Sequence, residues 1–327
     1  MSQSLPVGAV LNEAFQFGLQ RWGTMIRFAW APLLVGCLLV AGFLGLMLNV
    51  EAIMEAGRTG AAGQASDYLR LPAPMIVFFS LVLYVLVSVL FSGIMASVFR
   101  LVALGEDENR LINIRLDGPA ARVFWASLLK GVISTVVWCA ALAIALVLTG
   151  KNINAFFGDL GALFSAAMSS LALAIGGAAE AGAERFAAAE ALFITAYWKT
   201  VTYAFIIGFV PALYISVRLA PFVAGSAAEN RLILMGSFEL TRERFWPVLG
   251  AMILMGLMIF VISIIFELVS QIMELLSGLG AAGGLFALIA LVVGIIHLGL
   301  MIFYNAVVYG AQFAFSAIIY RRLKTGE

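Results

Sequence analysis

Charge is what this sequence has least of. Only 11% of its 327 residues are Asp, Glu, Lys or Arg, against about 25% in a soluble domain. That shortage excludes a water-facing surface over most of the chain. Histidine occurs once, as His297, and cysteine twice, as Cys37 and Cys139. Both cysteines lie inside apolar runs and read as packing residues rather than as a disulfide or a metal pair. A Gly-rich phosphate loop, a paired-carboxylate site, a Cys/His metal cluster and a nucleophile elbow are all missing. No catalytic residue, metal site or cofactor is therefore expected, and the chain does not read as an enzyme. A net charge of +1 implies no field for nucleic acid, which is not an expected partner. No cleavable signal peptide is expected, because the first apolar run follows a polar amphipathic segment and is too long for an h-region.

What the chain has in abundance is apolar surface. Hydrophobic residues make up 63% of it and the mean hydropathy is +1.07. The apolar runs are continuous over about 18 residues or more, the length of a spanning helix. Barrel strands would alternate instead. The fold class expected is all-α: a polytopic transmembrane bundle of about six spans with interfacial helices, forming a single integral membrane domain over 1–327. Residues 1–28 are its interfacial helix, 29–149 hold spans 1–3, 150–190 form an insert, and 191–327 hold spans 4–6.

In chain order, residues 4–28 pattern as one amphipathic helix, capped by Ser4 with Pro6 in its first turn. Val7, Val10, Leu11, Ala14, Gly18 and Trp22 make its apolar face, which is expected to lie in the membrane interface. The spans fall at about 29–49, 73–99, 126–149, 196–217, 247–273 and 285–308. An outer loop with Glu51, Glu55, Arg58, Asp67 and Arg70 separates the first two. Asp117-Gly118-Pro119 reads as a helix start. The last helix is expected to run on to Tyr320, since no charge occurs between Glu274 and Arg321. Tilt or an extension beyond the bilayer would absorb the excess.

Residues 150–190 are apolar enough for a seventh span but rich in Ala, Gly and Ser. Charge decides. With six spans, Arg21, Arg27, Arg100, Arg110, Arg115, Arg122, Lys130, Arg218, Arg231, Arg242, Arg244, Arg321, Arg322 and Lys324 share one side. They are fourteen of the nineteen basic residues. Arg58, Arg70, Lys151, Arg185 and Lys199 remain for the other. The positive-inside rule then gives a multi-pass protein of a bacterial inner membrane with both termini cytoplasmic. Segment 155–190 becomes an outer-side helical hairpin or re-entrant element.

The chain is organised around Tyr214 to Met258. A span ends at Arg218-Leu-Ala-Pro221, a short helix is expected to follow with Ser226-Ala-Ala-Glu229 as its capping box, and Arg242-Glu-Arg244-Phe245-Trp246-Pro247 feeds the next span. On that short helix Leu234, Phe238, Thr241 and Phe245 share a face. A weak internal repeat accompanies this. Ala14-Phe15 through Arg21-Trp22 matches Ser237-Phe238 through Arg244-Phe245, and Arg122-Val-Phe124-Trp125 echoes Arg244-Phe245-Trp246.

With Arg218 to Pro221 followed by Ser237-Phe-Glu-Leu240-Thr241-Arg242-Glu-Arg244-Phe245-Trp246, the chain resembles the glycerophosphodiester phosphodiesterase membrane-domain family of bacterial inner-membrane proteins. Glu13, Phe15 and Trp22 in the amphipathic start also fit. The resemblance implies a six-span helical membrane domain. It does not imply the phosphodiesterase activity, which needs catalytic histidines and metal-binding carboxylates in a soluble barrel.

Two sets of residues are candidates for binding. Arg218, Arg242, Arg244 and Trp246 sit where anionic headgroups would lie, and a guanidinium meets phosphate as a planar fork. The same arginines also serve topology and anchoring. In span 6, His297, Met301, Asn305, Tyr309, Gln312, Ser316 and Tyr320 recur every three or four residues, one face over about 35 Å. Polar groups at such depth turn from lipid toward other helices or a water-filled cavity. Ser80, Tyr84, Ser88, Ser92, Ala96 and Arg100 make a similar stripe on span 2, expected to be helix-contact surface. His297, Tyr304, Asn305, Tyr309 and Gln312, with Glu267 and Lys199 paired near the outer boundary, are the candidates for a ligand groove.

The functional expectation is a non-enzymatic membrane protein that binds, and transports or organises, lipids or similar amphiphiles. The alternatives are a structural subunit with a membrane-protein partner or a second copy of itself, and a secondary transporter of a small solute or proton. Against transport, no span is interrupted by paired Gly/Pro unwinding.

Overall fold

The computed structural model describes residues 5–47, 73–107, 114–175, 179–278 and 285–326. Among them every regular element is a helix. In chain order these are α1 (Val7–Gln20), α2 (Trp22–Met47), α3 (Ala73–Leu104), α4 (Gly118–Leu148), α5 (Ile153–Ile175), α6 (Ala179–Arg218), α7 (Phe222–Ala228), α8 (Leu234–Leu240), α9 (Phe245–Gly278) and α10 (Leu285–Thr325). Six apolar segments, carried by α2, α3, α4, α6, α9 and α10, are long enough to cross a membrane. The protein is an all-α, multi-pass membrane protein. Exposed Leu, Ile, Val and Phe along these helices are the surface that lipid solvates. The loop charges Glu51 to Arg70, Ser4 and Arg110 lie outside the described residues.

Helix ends follow local chemistry. Asp117 caps α4 as its sequence predicts, with Oδ1 accepting the Ala120 amide at 3.2 Å. Helix α10 runs 41 residues to Thr325, about 61 Å at 1.5 Å per residue, so the expected run to Tyr320 is present and continues five residues beyond it. The interfacial segment differs from expectation. It is two helices, broken at Arg21, whose backbone leaves helical geometry at φ −112° and ψ 18°. Helix α2 then begins at Trp22 and continues into the first span. Pro6 stands immediately before α1 rather than in its first turn.

The chain divides into two compact units, each taking part of α2, α3, α4 and α6. The first comprises Met1–Leu34, Ser88–Lys130 and Ser216–Glu327, and the second Val35–Val87 and Gly131–Ile215. The described members of the larger basic set all fall in the first, and Lys151, Arg185 and Lys199 fall in the second.

In the first unit α1 lies along α10. Its buried residues are Val10, Leu11, Ala14, Phe15 and Gly18, so the apolar face read as interfacial is covered by protein. Gly18 permits this. A Cβ there would stand 2.5 Å from the Val307 carbonyl oxygen and 3.2 Å from the Ala311 amide nitrogen. Glu13, on the flank of the same helix, pairs with Arg321 and Arg322 of α10. Met25, Phe28, Ile94 and Val98 build a core beside Phe17, Leu101 and Phe313. The α3 stripe splits accordingly. Ser92 and Ala96 are buried, whereas Tyr84 is exposed. The Ser92 hydroxyl turns back to donate to the Ser88 carbonyl at 2.7 Å, leaving a smooth face for close packing.

In the second unit α4 and α6 run antiparallel. Thr149 and Thr200 share a hydroxyl hydrogen bond of 2.8 Å, and Trp138 stacks on Phe205 at 6.1 Å. Gly208 makes room for the indole, since a Cβ would lie 2.8 Å from Trp138. Gly208→Val should therefore lower stability by about 1 kcal/mol, less than a backbone clash because a ring can turn. Thermal unfolding in detergent would show it as a reduced melting temperature, and an unchanged one would mean the contact is slack. Helix α5 joins this unit through Phe156, packed edge-on against Tyr197 at 5.1 Å, and through the Tyr197 hydroxyl, which donates to Asp159 at 2.7 Å. Segment 155–190 is thus helical on either side of residues 176–178, which lie outside the description. Cys37 and Cys139, expected in the packing, are exposed thiols.

Candidate functional site

The connector after Arg218 is built differently from its sequence expectation. Instead of one helix capped at Ser226 it forms two short ones. Helix α7 starts four residues earlier, at Phe222. Ser226 lies inside it and is buried, donating to the Phe222 carbonyl at 2.7 Å and accepting the Ile233 amide at 3.3 Å. A serine read as a cap therefore holds the next turn in place. Asn230 ends the helix with φ of 56°, a left-handed geometry that Asn tolerates. Its side-chain carbonyl accepts from the Arg122 guanidinium of α4.

Helix α8 is tied to the end of α6. The Arg218 guanidinium donates to the Phe238 carbonyl at 3.3 Å and to the Thr241 hydroxyl at 3.4 Å, and lies over the Phe245 ring at 5.6 Å. Ser237 donates back to the Arg218 carbonyl. Arg218 is half-buried and engaged in this clamp, so among the headgroup candidates it is the one that holds the scaffold. The break at 241–244 and the onset of α9 at Phe245 repeat the break at Arg21 and the onset of α2 at Trp22. For the copies at Ala14–Trp22 and Ser237–Phe245 the sequence repeat corresponds to a repeated helix–break–span geometry, whereas Arg122-Val-Phe124-Trp125 lies inside α4 without a break.

Between α7, α8, the start of α9 and the end of α10 lies a cleft of about 520 Å³. Arg231, Arg242, Arg244 and Lys324 supply its cations, and Glu229, Glu239 and Glu243 its carboxylates. Their commitments differ. Glu229 accepts from Lys324 at 2.9 Å and from the Tyr320 hydroxyl at 2.8 Å, and pairs with Arg231 at 2.8 Å. The Lys324 ammonium beside it, with the Tyr320 and Arg231 donors, overcomes burial and holds its carboxyl at about 2. Arg244 donates to the Arg322 carbonyl at 3.3 Å. Arg242 is exposed, and among the described residues no hydrogen bond or ion pair of its side chain is found. Trp246, next along α9, is 76% exposed, as an interfacial tryptophan would be. Arg242 and Arg244 both line this cleft, Trp246 does not, and Glu229 and Lys324 join it without having been singled out by the sequence as site residues. Glu229 had been assigned to a cap, and Lys324 to a topology signal.

A second hollow, of about 640 Å³, surrounds the break between α1 and α2 and includes Arg21, Trp22 and Arg27. Both arginines face the single carboxylate of Asp107, at 3.8 Å and 2.7 Å, which offsets part of their positive charge.

The polar stripe of α10 is largely engaged by helices. His297 Nε2 lies 3.1 Å from the Ser270 hydroxyl, and the Tyr304 hydroxyl 2.7 Å from that of Ser263. Tyr304 also stacks on Phe266 at 4.0 Å. These contacts join α10 to α9. Asn305 donates to its own helix at the Met301 carbonyl, 2.7 Å away, and Tyr309 is half exposed and stacks on Phe313. Gln312 is partly buried. Glu267 is exposed and accepts from Gln271 at 3.3 Å. Lys199 belongs to the second unit and lies over the Trp198 ring at 5.6 Å. Glu267 and Lys199 fall in different units.

Among the described residues no group of three His, Cys, Asp or Glu side chains is close enough to hold a metal ion. The chain matches no family model, no curated protein and no solved structure.

Proposed function

We propose that this is a bacterial inner-membrane protein, with both termini cytoplasmic, that binds and organises anionic lipids or similar amphiphiles without catalysing a reaction. The observation that carries this reading is the connector cleft. It presents Arg242, which makes no ion pair with a described residue, beside Arg244, and the exposed Trp246 follows at the start of a spanning helix. A guanidinium at that level gains about 1 kcal/mol from an anionic headgroup.

Native mass spectrometry of the protein extracted with its surrounding membrane tests it. An anionic lipid should be retained at fixed stoichiometry, and Arg242→Ala should weaken that retention about fivefold. His297→Leu should leave retention unchanged, because that residue faces α9. Equal lipid content in Arg242→Ala and the parent would overturn the proposal. A second protein retained in place of lipid would favour a partner-binding subunit.

A further inference from the structure

The second unit contains a cleft that the connector reading does not use. It has a volume of about 510 Å³ and lies where α4 ends against the middle of α6. Lys151, Lys199, Trp198 and Tyr203 are among its lining residues, with Thr149 and Thr200. No carboxylate lines it, unlike the connector cleft.

The chain builds this arrangement locally. Helix α4 ends in a left-handed turn at Gly150, φ 65°. The Gly150 amide donates to the Val147 carbonyl at 3.1 Å and the Lys151 amide to the Leu146 carbonyl at 3.0 Å. This is the paired bonding of a Schellman end, which glycine favours. It reverses the chain and sets Lys151 beside α6, with its ammonium 5.4 Å from the Tyr197 ring centre. Lys199 sits over Trp198 on α6. Within the described residues neither lysine has a carboxylate partner. The ring faces hold both cations in place without neutralising them.

The depth is also defined. No Asp, Glu, Lys or Arg occurs from 131 to 150 or from 200 to 217. Each stretch is about 30 Å long as helix, the thickness of a bilayer core. The Thr149–Thr200 bond puts the ends of both stretches at one level, so Lys151 and Lys199 stand at a headgroup boundary with an interfacial Trp and Tyr.

We propose that Lys151 and Lys199 form a two-cation cleft that binds a phosphate group, carried by a lipid headgroup or free in solution. Two compact ammonium charges without a competing carboxylate suit a phosphate, to which lysine binds as a point charge. This site is independent of Arg242.

The test compares the parent protein, the double variant Lys151→Ala/Lys199→Ala and the charge-preserving Lys151→Arg/Lys199→Arg, each reconstituted in phosphatidylglycerol and in phosphatidylcholine nanodiscs. Retained lipid is read by native mass spectrometry, and inorganic phosphate binding by calorimetry in detergent. The alanine pair should lose about thirtyfold in affinity for the phosphate-bearing probe, roughly fivefold per lysine, and the arginine pair should keep most of it. Loss confined to phosphatidylglycerol identifies a lipid headgroup. Loss confined to inorganic phosphate identifies a free anion. Equal binding of both probes by the alanine pair and the parent, with the arginine pair confirming the fold, overturns the proposal and leaves the lysines as boundary anchors. Repeating the comparison in an Arg242→Ala background separates the two sites: the loss caused by the lysine substitutions should persist there whether or not the connector site exists.

Discussion

Replacing Gly18 with valine is expected to lift α1 off α10 and to cost about 3 kcal/mol, the upper part of the range for overpacking a close contact. The reason is the nature of the neighbour. A Cβ at Gly18 would stand 2.5 Å from the carbonyl oxygen of Val307 and 3.2 Å from the amide nitrogen of Ala311. Both belong to the backbone of a 41-residue helix, which has no rotamer to change. The only relief is separation of the two helices. Separation would also expose Val10, Leu11 and Phe15 and draw Glu13 away from Arg321 and Arg322. That carboxylate works against partial burial, and the two guanidinium groups bring its pKa below the usual value. Gly8→Val is the matched control. Its Cβ would meet nothing within 4 Å, so valine there should change little beyond helix propensity, within about 0.5 kcal/mol. Thermal unfolding in detergent, with limited proteolysis of α1, reads both. Equal melting temperatures for the two variants would show that α1 does not pack closely through Gly18.

How much of this was legible follows from which forces act locally. The spans were readable because a bilayer demands about 20 apolar residues in register, and the Asp117 cap because its chemistry lies within four residues. Misreadings arose where a distant segment supplies the partner. Ser226 has the spacing of a capping residue, but Ile233, seven residues on, takes its oxygen, and the helix starts earlier. The amphipathic face of α1 has the pattern of a lipid-lying helix. What covers it is a helix almost 300 residues away, and Gly18, though part of that periodic face, does not disclose in the sequence that a helix backbone stands against it. The α10 stripe was read as one face, yet its members divide. His297 meets the Ser270 hydroxyl on α9, while Asn305 turns to the Met301 carbonyl of its own helix. Spacing gives a shared face but not what stands opposite. Lys151 offered a local clue in the preceding glycine, where a helix C-terminus throws the next residue back toward its neighbours.

Glu229→Gln is expected to remove a stabilisation that depends on pH. The carboxyl is held at about 2, first by the Lys324 ammonium and against partial burial, with Tyr320 and Arg231 also donating. Its unfolded value is the ordinary 4.5. A folded-state pKa below the unfolded one means that the contribution is complete above about pH 4.5. It fades as pH falls toward 2, where the native carboxylate too takes a proton. Undiscounted, the difference corresponds to about 3 kcal/mol. Glu229 is only 18% exposed, but Lys324 is 55% and Arg231 75% exposed, so solvent screens the pair and about 1–2 kcal/mol is the better expectation. Glutamine keeps an acceptor for the Tyr320 hydroxyl and Lys324, so the variant isolates the charge from the packing of α7 on α10. At pH 6 it should melt below the parent, and the gap should close steadily between pH 4.5 and pH 2.5. A gap that stays constant across that range would mean that glutamine disturbs the packing of Gly225, whose Cα faces the Tyr320 ring, and that the charge contributes little. The same titration bears on the cleft. Glu229 is the carboxylate that neutralises Lys324 and Arg231, so its removal should strengthen retention of an anionic lipid at pH 6, opposite in sign to the loss expected for Arg242→Ala.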